Sequence, residues 1–338
     1  MAFPHVFCTN ETAPSALPFV TGGISLLLFL LVVPGNFLIL LAIYKDPNRE
    51  LRKNPFNLFV GNLATADLLV GLLVLPISAA VHIREGLFIL PIISQILAIH
   101  MSYFVACTAS LLSLAALTLD RHIAVMYPLY YRTALNPRRA FVASALIWAL
   151  SISLTFTYLK VGSNIFAFVF ANISIAVSLF FLFSCLYITR RVGRRDVILE
   201  NSSCPVNRCG RRRHSKLQTR TTRVFSFVLI TYILCYGPSC VLIYLMNFCV
   251  RCSCAQIHWF RDLQFLFVLV NSCTNPILYS WRLKTFRNAL KKLLGIKSTR
   301  QSSSSSTSSN ICQQPSNSIA EVRSYQNDAI ELVSFKTL

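Results

Sequence analysis

Asn275-Pro276-Ile277-Leu278-Tyr279 closes the last long apolar stretch of the chain, and it puts an amide and a proline where a lipid-embedded helix tolerates them least. A proline inside a helix removes one backbone donor and frees a carbonyl, and in hydrocarbon that carbonyl must find another partner. Such a break survives where other helices, side chains or water satisfy the freed group. The stretch therefore predicts a multi-helix membrane bundle whose interior is polar and deformable.

Upstream of this stretch the same pattern of long apolar runs repeats without any internal sequence repeat, which argues against an inverted-repeat transporter. The chain has 338 residues, 54% hydrophobic and only 13% charged, too apolar for a soluble domain. A window of about 19 residues picks out segments of spanning length at 18–44, 55–81, 92–125, 138–159, 163–189, 221–247 and 259–281. The predicted fold is all-α: a seven-transmembrane bundle over residues 18–281, with an extracellular tail at 1–17, an interfacial helix at 282–294 and a cytoplasmic tail at 295–338.

A net charge of +20 would suit nucleic acid, but its distribution argues for a membrane instead. With the amino terminus outside, all of the 32 Lys and Arg except Arg84, Lys160, Arg251 and Arg261 fall on the cytoplasmic side. The positive-inside asymmetry fixes that orientation, and no nucleic-acid partner is expected. No basic region precedes the first apolar run, so a cleaved signal peptide is not expected. Asn10-Glu11-Thr12 in the outer tail is a glycosylation sequon on the correct side of the membrane.

Of the 12 acidic residues, Asp67 is the one that falls deep within an apolar span. A carboxylate at that depth costs roughly 2.5–3.5 kcal/mol, so it calls for a polar partner or a task. Asn36, Ser110, Asn271 and Asn275 are the residues expected to meet it. Hydroxyl and amide oxygens around a carboxylate suit a hard cation, and sodium is the expected occupant. The alternative is a protonated Asp67 held only by hydrogen bonds. At the inner end of the third span, Asp120-Arg121-His122 places a guanidinium where it can exchange partners between a carboxylate and the carbonyls of an incoming helix.

These motifs together resemble the rhodopsin-like (class A) G-protein-coupled receptors. The resemblance is carried by Gly35-Asn36, Asn62-Leu63-Ala64-Thr65-Ala66-Asp67, Asp120-Arg121-His122, Trp148, Tyr187, Cys235-Tyr236-Gly237-Pro238 and Asn275-Pro276-Ile277-Leu278-Tyr279, in order on successive spans. It implies a plasma-membrane receptor, not an enzyme, in which an extracellular ligand shifts the bundle to activate a heterotrimeric G protein. It also implies that Asp67, Ser110, Asn271 and Asn275 hold sodium in the inactive state. On activation Arg121 would leave Asp120 and pack near Tyr187 and Tyr279, while the sixth span swings about Pro238. A channel or transporter is the rival class, and it would usually need more than one mid-membrane charge. A receptor-like protein that signals constitutively, or serves other receptors as a partner, is the alternative within the family.

Several positions depart from the family pattern. Ile96 stands where a cysteine usually starts the third span, and Leu179 where the fifth span usually has a proline. Tyr236 and Tyr232 replace a tryptophan and a phenylalanine in the sixth span, and His122 replaces a tyrosine. With the second outer loop reduced to about 160–164, the pattern is similar to melanocortin receptors and their wider group with cannabinoid, lysophospholipid and adenosine receptors. Outer cysteines Cys8, Cys249, Cys252 and Cys254 form an even set in an oxidising compartment. The resemblance implies one bond within the third outer loop and one to the amino-terminal segment; zinc binding by the clustered cysteines is the weaker alternative. The family's ligand position is expected to be lined by His100, Tyr103, Phe104, Tyr236, Ile243, Phe265 and Leu269. That lining favours a lipid or a small apolar molecule. Tyr103 in place of an aspartate argues against an amine, Leu269 against a retinal Schiff base, and Ile77, Ile96 and His100 against melanocortin recognition.

Inside the cell, Leu283, Phe286, Leu290, Leu293 and Leu294 alternate with Lys284, Arg287, Lys291 and Lys292 as an amphipathic interfacial helix. The third inner loop is rich in arginine, which anchors helix ends against the anionic bilayer surface. Ser302, Ser303, Ser304, Ser305, Ser306, Thr307, Ser308 and Ser309 form a tract expected to be phosphorylated by a receptor kinase and read by arrestin.

Overall fold

The computed structural model describes residues 12–46, 51, 54–90, 92–127, 130–131, 137–161, 163–201, 208–282 and 284–293; the side chains of 137, 163–165, 195–201, 208–221, 223, 282, 284 and 285 lie outside that description. Cys8, Asn10, Leu283, Leu294 and the tract Ser302–Ser309 also lie outside the described residues.

Helix α1 spans Leu17–Tyr44 and α2 spans Pro55–Gly86. Asn54 starts α2 by accepting a hydrogen bond from the Phe56 N–H at 3.1 Å, with Pro55 in the first turn where its missing donor does no harm. Midway, α2 widens into a π turn over Val70–Val74, and the Leu75 N–H reaches back to the Val70 carbonyl. Pro76 follows at once; the wider turn relieves the clash its ring would make with the preceding turn. Gly71 lies in this turn, and a Cβ there would come within 2.8 Å of Val33, so the glycine lets α1 and α2 close together.

Helix α3 spans Ile93–Met126 and α4 spans Pro137–Phe156. A single helical turn at Tyr158–Val161 joins α4 to α5, Ser163–Asn201. Helix α6 spans Arg208–Phe248, α7 spans Cys254–Arg282 and α8 spans Lys284–Leu293. The third inner loop is shorter than the sequence suggested, because α5 and α6 continue past 189 and start before 221 through arginine-rich segments of good helix propensity.

Helices α1, α2 and α7 pack together, α6 packs between α5 and α7, and α3 touches α2, α4, α5 and α6 from the middle of the bundle. Among the described residues there is no strand. Leu26, Leu27, Leu30 and Leu31 of α1, Phe141 and Leu146 of α4, and Phe180 and Phe183 of α5 are exposed, whereas Asn36, Asn62, Asp67, Ser113, Asn271 and Asn275 are buried. Apolar outside and polar inside is the stable arrangement only when the solvent is hydrocarbon. Helices α1 to α6 are long and apolar enough to cross a membrane. With 29 residues, α7 has the length as well, and its outer part carries His258, Arg261, Asp262 and Gln264, all buried.

Candidate functional site

The carbonyl that Pro276 frees is that of Ser272, one turn earlier in α7. Asn36 of α1 donates its Nδ2 to that carbonyl at 3.0 Å, and also to the Val32 carbonyl at 3.0 Å. Gly35 makes room for the proline: a Cβ there would sit 3.2 Å from the Pro276 ring. One residue earlier, Asn275 Nδ2 donates to Asp67 Oδ2 at 2.9 Å, tying α7 to α2. Asp67 is wholly buried, and its Oδ1 has no hydrogen-bond partner among the described groups; neither has Asn36 Oδ1. Ser110 and Asn271 are buried, but no hydrogen bond joins either to Asp67 among the described contacts; Ser272 lies beside it instead. Asn36, expected beside the carboxylate, spends its amide on the backbone break.

A second polar chain runs from α4 to α3. Trp148 Nε1 donates to Asn62 Oδ1 at 2.7 Å, and Asn62 Nδ2 donates to Ser113 Oγ at 2.7 Å. Three helices are thus tied through one asparagine of α2.

At the inner end, Arg121 is folded back on its neighbour: Nε donates to Asp120 Oδ2 at 2.9 Å, with Nη2 on the same oxygen. Sequence reasoning missed Tyr131, a residue of the second inner loop. Its hydroxyl accepts from Arg121 Nη2 at 3.0 Å and donates to Asp120 Oδ1 at 3.1 Å. Burial pushes that hydroxyl up to about 12, so it keeps its proton and remains a donor. The guanidinium also lies over the Phe56 ring, 4.6 Å from its centre. Tyr187 is 44% exposed and stacks on His122. Tyr279 is buried against Phe286 of α8, and its hydroxyl has no partner among the described groups. Pro238 lies inside α6.

In the outer half, several of the residues expected to line a ligand pocket pack on one another. Tyr103, Phe104, Phe265 and Leu269 are buried, and the aromatic ones make ring contacts: Phe104 meets Phe166 with centres 4.6 Å apart, and Tyr103 meets Phe265 at 5.4 Å. Tyr236 stacks on Tyr232 at 4.2 Å. His100 is tied through Nδ1 to the Tyr158 hydroxyl at 2.6 Å. Ile243 lies apart, in a small cluster with Ala171 and Cys240. A cavity of about 50 Å³ lies further out, lined by Val81, His82, Glu85, Ile96, Ile99, His100, Arg261, Asp262 and Phe265. Of the residues expected to line the pocket, only His100 and Phe265 reach this cavity.

The charged group beside that cavity was also missed by the sequence reading, which placed Arg261 only among the basic residues off the cytoplasmic side. Arg261 Nε donates to Asp262 Oδ1 at 2.6 Å, while Nη1 and Nη2 meet the two oxygens of Glu85 at 2.9 and 3.0 Å. Thr21 of α1 donates to Asp262 Oδ2 at 2.8 Å, and His82 Nε2 lies 3.6 Å from Asp262 Oδ1. The spacing Asp262, Phe265, Leu269, Ser272 follows one face of α7, a signal that would have placed Asp262 inside the bundle.

In the third outer loop Cys249 is bonded to Cys252, and Cys254 is disulfide-bonded as well. A bonded Cys249 and Cys252 have no thiolate for zinc, which removes that alternative. Among the described residues no group of three His, Cys, Asp or Glu side chains is placed to hold a metal.

Residues 35–162 match the family described as 7 transmembrane receptor (rhodopsin family). The chain is 27% identical to galanin receptor 2a of Danio rerio, an alignment covering 86% of this chain and 81% of that one. It is 27% identical to human adenosine receptor A2a over 82% of this chain and 73% of that one. A shorter match to human histamine H2 receptor, 38% identical, covers 47% of this chain and 42% of that one. These relatives carry the names of three different ligands, so they agree on a family and not on a ligand. With its polar-cored helical bundle and its ordered motifs, the chain is similar to the rhodopsin-like family of G-protein-coupled receptors, and these similarities support a multi-pass membrane receptor that signals through G proteins.

Proposed function

We propose that this receptor is a ligand-driven switch whose inner end is latched by Asp120, Arg121 and Tyr131. The observation that carries the reading is the double hold on Arg121, by the adjacent carboxylate and by a loop tyrosine that bonds both members of the pair. Release of Arg121 frees a guanidinium for the carbonyls at the end of an incoming Gα helix. The outward movement belongs to α6 about Pro238, and Tyr187 and Tyr279 are the partners of the released arginine. A ligand can shift this equilibrium only by its differential affinity for the two arrangements.

Asp67, Ser110, Asn271 and Asn275 are the residues that would hold a sodium ion in the inactive state. The orphaned Asp67 Oδ1 and Asn36 Oδ1 fit such an ion, because both are buried acceptors lacking a donor. When bound, the ion supplies positive charge against the buried carboxylate. The amino terminus faces outward, consistent with the basic residues at the opposite end. Phe286 of α8 packs on Tyr279 while Lys291 and Lys292 lie in its last turn, supporting a helix that lies along the inner membrane surface. The serine-rich tail is the substrate of a receptor kinase and the docking point of arrestin.

The test is nucleotide exchange on purified G protein by the full chain in membranes, with and without ligand. Arg121→Gln should abolish exchange while leaving surface expression intact. Exchange that persists unchanged in this variant overturns the reading.

A further inference from the structure

We propose that the outer cavity between α2, α3 and α7 recognises an amphiphile with one carboxylate and an apolar body, and that Glu85 holds the ligand's place on Arg261. The proposal deepens the receptor reading and rests on it.

Arg261 offers three donor positions, and its partners on them are unequal. Its Nε is committed to Asp262, a side chain only 1% exposed that also takes the Thr21 hydroxyl. Its outer fork, Nη1 and Nη2, faces both oxygens of Glu85, whose side chain is 27% exposed. Glu85 is the residue before the end of α2, so it can turn to water without unwinding the helix. The exchangeable partner in this network is therefore the acid at its rim. A guanidinium fork vacated by one carboxylate is matched in shape and charge by another.

Charge balance selects the same ligand. Replacing Glu85 by a ligand carboxylate leaves the buried charge unchanged, and the displaced glutamate is hydrated outside. A cationic ligand would have to displace Arg261, leaving Asp262 buried without its counter-charge, which is costly. Apart from His82, which faces Asp262, and His100, which is tied to Tyr158, the rest of the wall is apolar, from Val81, Ile96, Ile99 and Phe265, and would receive a hydrocarbon body. With Glu85 in place the cavity is about 50 Å³, room for little more than water. The departure of Glu85 thus also opens the volume.

The test uses the full chain purified in detergent, with n-alkyl carboxylates from hexanoate to stearate and their methyl esters as probes, read by direct binding of radiolabelled compound. At least one acid should bind, its methyl ester about tenfold or more weaker, in line with loss of a charged hydrogen-bonded pair. Glu85→Gln should bind the acid several-fold tighter, because the competing anion is gone. The double variant Arg261→Gln/Asp262→Asn, which removes both buried charges together, should lose the preference for acid over ester. Equal binding of acid and ester by the unaltered chain, weaker acid binding by Glu85→Gln, or no acid bound at all would each overturn the site. An acid that binds as expected but leaves nucleotide exchange unchanged would count against the receptor reading and leave the site standing.

Discussion

The Asn36 amide donates to the Ser272 carbonyl at 3.0 Å, filling the acceptor position that Pro276 leaves open in α7. The break and its repair lie on different helices, so the weakest point of α7 doubles as its attachment to α1. Asn36→Ala should lower stability by about 1–3 kcal/mol by orphaning a buried carbonyl. Pro276→Ala restores an N–H to that carbonyl, so the same asparagine change should cost markedly less in its presence. Thermal unfolding of the four proteins of this cycle in detergent checks the coupling; additive losses would mean that the two residues act independently.

Tyr131→Phe removes the hydroxyl that bonds both Asp120 and Arg121 while keeping the ring. At about 1 kcal/mol per hydrogen bond, the ratio of latched to released receptor should fall about fivefold or more. Ligand-free nucleotide exchange should rise accordingly, and unchanged basal exchange would show that the tyrosine does not bias the switch.

Asp67→Asn removes the carboxylate charge while keeping the shape. Purified unaltered protein should unfold at a higher temperature in sodium chloride than in choline chloride at equal ionic strength, and the variant should lose that difference. A sodium effect that survives the substitution would place the ion elsewhere.

Closing the short loop between Cys249 and Cys252 is worth about 2 kcal/mol by chain entropy. Cys249→Ser together with Cys252→Ser should therefore lower thermal stability modestly and leave the protein folded. Peptide mapping without reduction should recover the two cysteines of the native chain as one linked fragment; free thiols at both positions would contradict the bond.

The helices were legible because hydrocarbon demands long apolar runs, and residues such as Leu26 through Leu31 have no other use. Asp67 and Asn275 were legible because a polar side chain is conspicuous in such a run. The Arg261–Asp262–Glu85 group was not, because at the edge of a span charged residues are ordinary, and only α7's helical phase turns Asp262 inward toward Thr21 and His82. Tyr131 was hidden for another reason: it reaches Arg121 from a connecting segment, where sequence spacing carries no information about distance. Residue identity at helical spacing likewise does not reveal how closely Tyr103, Phe104 and Phe166 pack their rings on one another.

The π turn at Val70–Val74 adds one residue to a helical repeat, and each added residue rotates everything beyond it by about 100°. Asp67 lies before the turn and is untouched by it; Ser78, His82 and Glu85 lie after it and owe their facing to it. Loss of one residue in this stretch would turn the π turn into an α turn and leave those three side chains facing the bundle interior, whereas winding the full-length stretch as plain α-helix would rotate them off it. The phase of the outer end of α2 is thus set by the winding of a single turn, while Asp67 and the other end keep theirs.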